Sequence, residues 1–316
     1  MSTLLISAGD ARYFPLVQGT ISSLCDAPER RAVSVAFLDL GCTNSQRAWL
    51  LERVDYVEYA HWEISFPGRA SAKEYMKGLC VRPFLQRYFP GFDVYVWIDG
   101  DAWVQDWNAV SLLVEGARRR GLAIVPEIDR GSRLQYGGLS DYWLFNYRQY
   151  ELAFGSEVAE ELHSHPVLNA GVFALHKDAP HWDVWAHQLF IAARNGANLY
   201  TDQYALNVTV YKRGLFDCTE LLPAWCNWTC HFGLPVWDKS DTSFVEPYLP
   251  HTRIGILHLT GPTKEDRFRV RTTCGVYMDV SLRYGATLSD RSTHEAVLRS
   301  DEGGFATATS LNFSVS

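Results

Sequence analysis

The sequence lacks a basic excess. Its 29 Lys and Arg are outnumbered by 36 Asp and Glu, for a net charge of -7. A nucleic-acid binder usually carries a basic face, so nucleic acid is not expected as a partner. Long apolar runs are missing too. No stretch approaches the roughly 20 residues that cross a bilayer, and no transmembrane segment is expected. The opening Met1-Ser2-Thr3-Leu4-Leu5-Ile6 has neither a basic start nor an extended apolar core, so a secretory signal is not expected. A disulfide framework is also absent. Seven cysteines form an odd set without regular spacing, where secreted frameworks are denser and even. The sequons at Asn207, Asn227 and Asn312 then carry no weight. The expected location is the cytoplasm, with attachment to a membrane surface left open. No internal repeat is present.

What the chain does have is size and apolar content. With 316 residues, 47% of them hydrophobic, it can bury a substantial core. Aromatics reach 14%, with eleven Trp. Part of this serves a core, and flat aromatic faces also suit stacking on sugar rings.

Hydrophobic patterning alternates strands with helices through the first half. Strands are expected at 4–7, 33–38, 54–58, 94–98 and 123–126. Helices are expected at 14–25, 46–52 and 110–120, the last closed by Gly121. Helical spacing also runs over 71–89, with Pro83 as a kink or restart. This order predicts an α/β fold with a mostly parallel central sheet flanked by helices. Further on, 127–150 reads as a long polar connection. A strand at 172–176, a helix at 182–194 and a strand at 254–258 come next. The segment 218–239 is rich in Trp and Cys. From 287 the chain becomes Ser/Thr-rich and aperiodic, so one domain over 1–286 and a flexible tail over 287–316 are expected.

The most informative feature is Val94-Tyr95-Val96-Trp97-Ile98-Asp99-Gly100-Asp101. A buried strand runs straight into two carboxylates two residues apart, which point to one side of an extended chain. Their repulsion is relieved by a cation, and hard oxygen ligands suit Mg²⁺ or Mn²⁺. Asp10 also falls at a strand end, where ligands of such sheets bind. A second strand delivers His258, followed by Gly261, which lets a ligand approach the backbone, and by the cation Lys264. That grouping suits a diphosphate, and an imidazole beside two acids tilts the metal toward Mn²⁺. Leu168-Asn169-Ala170-Gly171 offers an amide to a hydroxyl-rich ligand, or else a turn before a strand. Tyr200-Thr201-Asp202-Gln203 reads as a helix start with Thr201 or Asp202 as its cap.

In this order the four pieces resemble the family 8 retaining glycosyltransferases of the GT-A fold, a group that includes glycogenin and bacterial lipopolysaccharide galactosyltransferases. The resemblance runs from about Leu4 to Lys264. It implies that Asp10 and Tyr13 of Asp10-Ala11-Arg12-Tyr13 hold the uracil and ribose of a UDP-sugar. It matches Arg82 to the family's Arg before the acidic pair. It makes Asp99, Asp101 and His258 the metal ligands, with Mn²⁺ or Mg²⁺ as cofactor. Asn169 and Gly171 would line the donor sugar, and Gly261 and Lys264 would bind the diphosphate. Asp202 and Gln203 would stabilise the positively charged sugar face during transfer. The implied activity moves a hexose, glucose or galactose, from a nucleotide diphosphate sugar to a glycan, lipid or protein acceptor. Two departures stand out. Glu265-Asp266 replaces the Pro-Trp that often follows the family's last Lys, and Arg12 occupies a place where a small polar residue is common.

Two other functions use similar residues. A haloacid-dehalogenase-type phosphohydrolase also ends a strand in Asp-x-Asp, but near its N-terminus and with Thr or Val where Trp103 stands. A non-catalytic sugar-nucleotide-binding protein would keep the fold alone. Cys226, Cys230 and His231 form a tight Cys-x-x-x-Cys-His, a zinc pattern without a fourth ligand. Trp225, Trp228 and Trp237 suit either a stacking surface or a core.

Overall fold

The computed structural model of the protein describes residues 2–132, 139–195, 198, 200–264 and 267–285. The expected tail over 287–316 lies outside them, as do Glu265, Asp266 and positions 133–138 of the polar connection.

The apolar runs become the strands of a seven-stranded sheet. In chain order they are β1 (Thr3–Gly9), β2 (Ser34–Asp39), β3 (Tyr56–Tyr59) and β4 (Val94–Ile98), and then, after the short β5 (Ala102–Val104), β6 (Leu122–Pro126), β7 (Leu168–His176) and β8 (Thr219–Leu221). The sheet order is β3-β2-β1-β4-β7-β6-β8. Pairing is parallel except on either side of β7, which opposes both β4 and β6. Every residue of β1 and β4 is buried, because helices cover both faces. Alternate residues feed two cores. Leu5, Val96 and Ile98 meet the helices Phe14–Cys25 and Asn108–Arg120 on one face. Leu4, Ile6 and Trp97 meet the helices His181–Ala193 and Thr201–Tyr211 on the other. The α/β, mostly parallel architecture is as expected.

A smaller sheet decides where the functional side chains go. It consists of β5, β9 (Trp228–Thr229) and β12 (Ile256–His258), with β12 lying between the other two, while β10 (Val236–Asp238) and β11 (Ser243–Val245) pair as a separate hairpin. Since β5 starts right after Asp101, its pairing with β12 sets His258 opposite Ala102.

Several local expectations are corrected. The helical stretch over 71–89 is broken into 3-10 turns and the short helices Lys77–Val81 and Leu85–Tyr88, with Pro83 inside the turn between them. Much of the connection over 127–150 belongs to a helix, Leu139–Phe154. Asn169-Ala170-Gly171 lies within β7 and is not a turn before it. Tyr200 is the N-cap of the helix at Thr201 and makes no side-chain cap bond, so neither Thr201 nor Asp202 caps it. All seven cysteines are free thiols. No described helix is long and apolar enough to cross a membrane.

Candidate functional site

Asp99, Asp101 and His258 come together where β4 ends and β12 arrives. One ligand atom from each lies within 4.8 Å of the others, and this is the one such Asp/Glu/His/Cys group among the described residues. His258 Nε2 stands 3.3 Å from Asp101 Oδ1 and 3.8 Å from Asp99 Oδ2. The backbone holds the geometry: Leu259 N–H donates to the Asp101 carbonyl at 2.8 Å, and Asp99 N–H donates to the Gly171 carbonyl at 2.8 Å. Two glycines make the approach possible. A Cβ on Gly100 would stand 2.4 Å from the Ala8 carbonyl oxygen, so only glycine lets the acidic turn close on the end of β1. A Cβ on Gly171 would stand 2.3 Å from His258 Cε1.

The donor set, two carboxylates and one imidazole nitrogen, fits a divalent cation such as Mn²⁺. The charges fit as well. Burial acts to raise the Asp101 carboxyl, but His258 and Lys264 outweigh it and hold it well below the usual carboxylate range. Burial likewise acts against the His258 imidazolium, and the two acids more than compensate, raising its pKa. Lys264 Nζ lies 2.7 Å from Asp101 Oδ2 and 4.9 Å from the centre of the Tyr13 ring, which brings Tyr13 to the same cluster. Gly261 has φ +55°, a left-handed conformation that favours glycine, and its Cα faces the His231 ring. Asp10 is partly committed: its Oδ1 accepts the N–H groups of Arg12 and Tyr13 at 3.1 and 3.0 Å.

Arg82 ties the acidic pair to the helix at Thr201. Its guanidinium donates to Asp99 Oδ1 at 2.5 Å and to Asp202 Oδ2, while lying over the Trp97 ring. Trp97 Nε1 also donates to Asp99 Oδ1, at 2.6 Å. Asp202 is 1% exposed. Burial pushes its carboxyl up, against the pull of Arg82. Gln203 Oε1 accepts the Ala170 N–H at 3.0 Å.

Asn169 sits within this cluster with a restricted role. Its Oδ1 already accepts from Gly171 N–H at 2.9 Å and from Asn227 Nδ2 at 3.1 Å. The sequence offers this amide to a ligand as both donor and acceptor; here both lone pairs of its oxygen are engaged within the protein. Its Nδ2 donates to Glu127 Oε1 at 2.7 Å, and Tyr142 donates to the other carboxylate oxygen at 2.9 Å. Burial raises the Glu127 carboxyl against these hydrogen bonds.

Sequence reasoning missed Glu127 and Asn227. Glu127 directly follows β6, so an acid at a strand end was its available signal. Asn227 carried none, since its neighbours are distant in the chain. The zinc pattern is not realised: Cys226, Cys230 and His231 form no metal group among the described residues. Burial pushes the Cys226 thiol up to about 12 and raises the Cys230 thiol as well. Trp228 and Trp237 are core residues.

No protein-family model and no curated protein sequence matches the chain. Solved structures do match it in shape. The galactosyltransferase LgtC, solved with donor and acceptor sugar analogues, aligns at TM-score 0.51 and 17% identity, over 82% of this chain and 88% of that one. The bifunctional glycosyltransferase WbbM aligns at TM-score 0.49 and 13% identity, over 82% of this chain but only 46% of its own, so the chain spans about half of WbbM. Mouse xyloside xylosyltransferase 1 aligns at TM-score 0.44 and 13% identity, over 81% of this chain and 96% of that one. The likeness to LgtC identifies the fold as that of the GT-A glycosyltransferases.

Proposed function

We propose that the protein is a metal-dependent retaining glycosyltransferase of the family 8 type, which moves a hexose from a nucleotide diphosphate sugar, a UDP-hexose, to an acceptor. The observation that carries this reading is the meeting of Asp99, Asp101 and His258 within 4.8 Å on a GT-A scaffold. A divalent ion bound there would act as a Lewis acid toward the charge of a departing diphosphate.

The chain's own residues divide the remaining work. Lys264 provides a second cation beside Asp101 for the phosphates, on the turn that Gly261 makes in its left-handed conformation. Tyr13 and Asp10 offer a ring and a carboxylate oxygen to the nucleoside. Asn169 donates to a sugar hydroxyl, and Gly171 leaves room for the ring. Gln203 presents its amide beside β7, and Asp202 lends negative charge behind Arg82. An oxocarbenium-like centre forming in front of these groups would be stabilised by that charge.

A haloacid-dehalogenase-type hydrolase fits less well. Its Asp-x-Asp would follow the first strand, whereas here it follows the fourth. A non-catalytic binder of the same fold would hold a UDP-sugar without releasing UDP.

Incubation with a panel of UDP-hexoses and Mn²⁺ tests the reading. UDP release that depends on Mn²⁺ and is specific to one or two hexoses is expected. Absence of release with every nucleotide sugar, from folded protein saturated with Mn²⁺, would overturn it.

A further inference from the structure

The Nε2 of His258 faces the acids, and its other ring nitrogen faces Asn227. Nδ1 lies 3.1 Å from Asn227 Oδ1. From there a line of side-chain hydrogen bonds runs inward: Asn227 Nδ2 to Asn169 Oδ1, then Asn169 Nδ2 to Glu127 Oε1. All four residues are buried. A buried polar line of this kind is stable only if every donor meets an acceptor.

The direction of the line is forced. The Glu127 carboxylate accepts from Tyr142 and Asn169, so the NH₂ of Asn169 must face it. The Gly171 backbone N–H can only donate, so the oxygen of Asn169 must face that group. Two unrelated partners thus fix the Asn169 amide the same way round. Its oxygen then requires the NH₂ of Asn227, which turns the Asn227 oxygen toward His258. An oxygen there requires a proton on Nδ1.

We propose that Asn227 is a positioning residue for the metal centre. Its amide, oriented through Asn169 by Glu127, keeps the proton of His258 on Nδ1 and leaves Nε2 as the ligand atom. The inference rests on the reading that Asp99, Asp101 and His258 hold a divalent ion. A metal-ligating histidine generally donates its second N–H to a fixed acceptor, and loss of that acceptor weakens metal affinity by about 10–100-fold. Here the acceptor is an amide rather than a carboxylate. The carboxylate sits two residues further back, on the strand end that also meets Asn169.

Three measurements test it. First, the ¹⁵N resonances of His258 in metal-free protein, assigned with His258→Gln and followed to a pH above the raised pKa of its imidazolium, should show Nδ1 as the protonated nitrogen of the neutral ring; a neutral ring with its proton on Nε2 would overturn the proposal. Second, Asn227→Leu, close in volume, should bind Mn²⁺ alone about 10–100-fold more weakly by calorimetry; wild-type affinity in the folded variant would overturn it. Third, Asn227→Asp keeps an oxygen toward Nδ1 but sets its other oxygen against Asn169 Oδ1. It should retain Mn²⁺ affinity better than Asn227→Leu while melting at a lower temperature; an unchanged melting temperature would mean that the direction assigned to the line is wrong. If the wild type takes up no Mn²⁺, the functional reading falls, and the Nδ1 resonance still decides the orientation on its own.

Discussion

Gly171 lies against His258 so closely that a single added carbon cannot fit: a Cβ would stand 2.3 Å from the imidazole Cε1 and 2.8 Å from Asp99 Oδ2. The strand backbone itself would accept alanine, since Gly171 is not among the residues with positive φ. Gly171→Ala should therefore fold and yet displace the imidazole. We expect Mn²⁺ affinity to fall at least about tenfold, the size of effect that a disturbed ligand orientation produces. Calorimetric titration alongside circular dichroism checks this. Wild-type affinity would mean that the ring can step aside.

Asp101→Asn is nearly isosteric but removes the carboxylate between His258 and Lys264. Turnover should drop by several powers of ten, since each ~1.4 kcal/mol of lost stabilisation is about tenfold. Rates with saturating Mn²⁺ and UDP-sugar measure it. A loss of less than tenfold would remove Asp101 from the metal centre.

Arg82 cannot be exchanged for lysine without loss. One guanidinium serves both Asp99 and Asp202, and a single ammonium has no matching fork. A charge-assisted hydrogen bond contributes about 1.5–3 kcal/mol, so Arg82→Lys should slow transfer roughly ten- to hundredfold. Arg82→Met leaves Asp202 buried without its cation and should destabilise the fold by about 3–5 kcal/mol. Urea unfolding of the two variants separates the effects.

Asp202→Asn tests whether that charge matters for chemistry. The side chain is buried and faces Arg82. UDP binding should persist while hexose transfer is lost. Full transfer activity in this variant would remove Asp202 from the mechanism.

His181 makes stability depend on pH. It is buried, and Thr219 spends its hydroxyl proton on the Leu215 carbonyl, so His181 Nε2–H donates to the Thr219 oxygen. Burial lowers its pKa from 6.5 to about 4. Between those values the unfolded chain takes up a proton that the folded chain refuses. The contribution is therefore complete above about pH 6.5 and declines as pH falls toward 4, by about 3 kcal/mol in all. Melting temperatures from pH 7 to pH 4 should show the decline, and His181→Leu should flatten it.

Much of this was legible in the sequence, because the signals were local. β1, β4 and the helix Phe14–Cys25 followed from apolar spacing, and the acids after β4 from their place at the end of a buried run. A strand-end acid is not sufficient by itself. Asp39 also ends a buried strand, but its carboxylate is spent on the N–H groups of Gly41 and Cys42 and on Arg47. Glu127 had the same local signal and was hidden in a stretch that read as connection. The reversal of β7 was invisible, since a buried run reads the same in either direction. Asn227 was invisible for a different reason. It reaches His258 only because β9 pairs with β12, a contact that no spacing records.

The reversed course of β7 has an architectural consequence. β1, β2 and β3 reach the candidate site's face as they end, and the segment after each must travel back before the next parallel strand can start. β7 enters at that face with Asn169 and Gly171 and leaves at the opposite pole. The approach over 164–167 is thus free of any return journey. Residues inserted there would lengthen the run into Asn169 and Gly171 while every crossover between parallel strands kept its length.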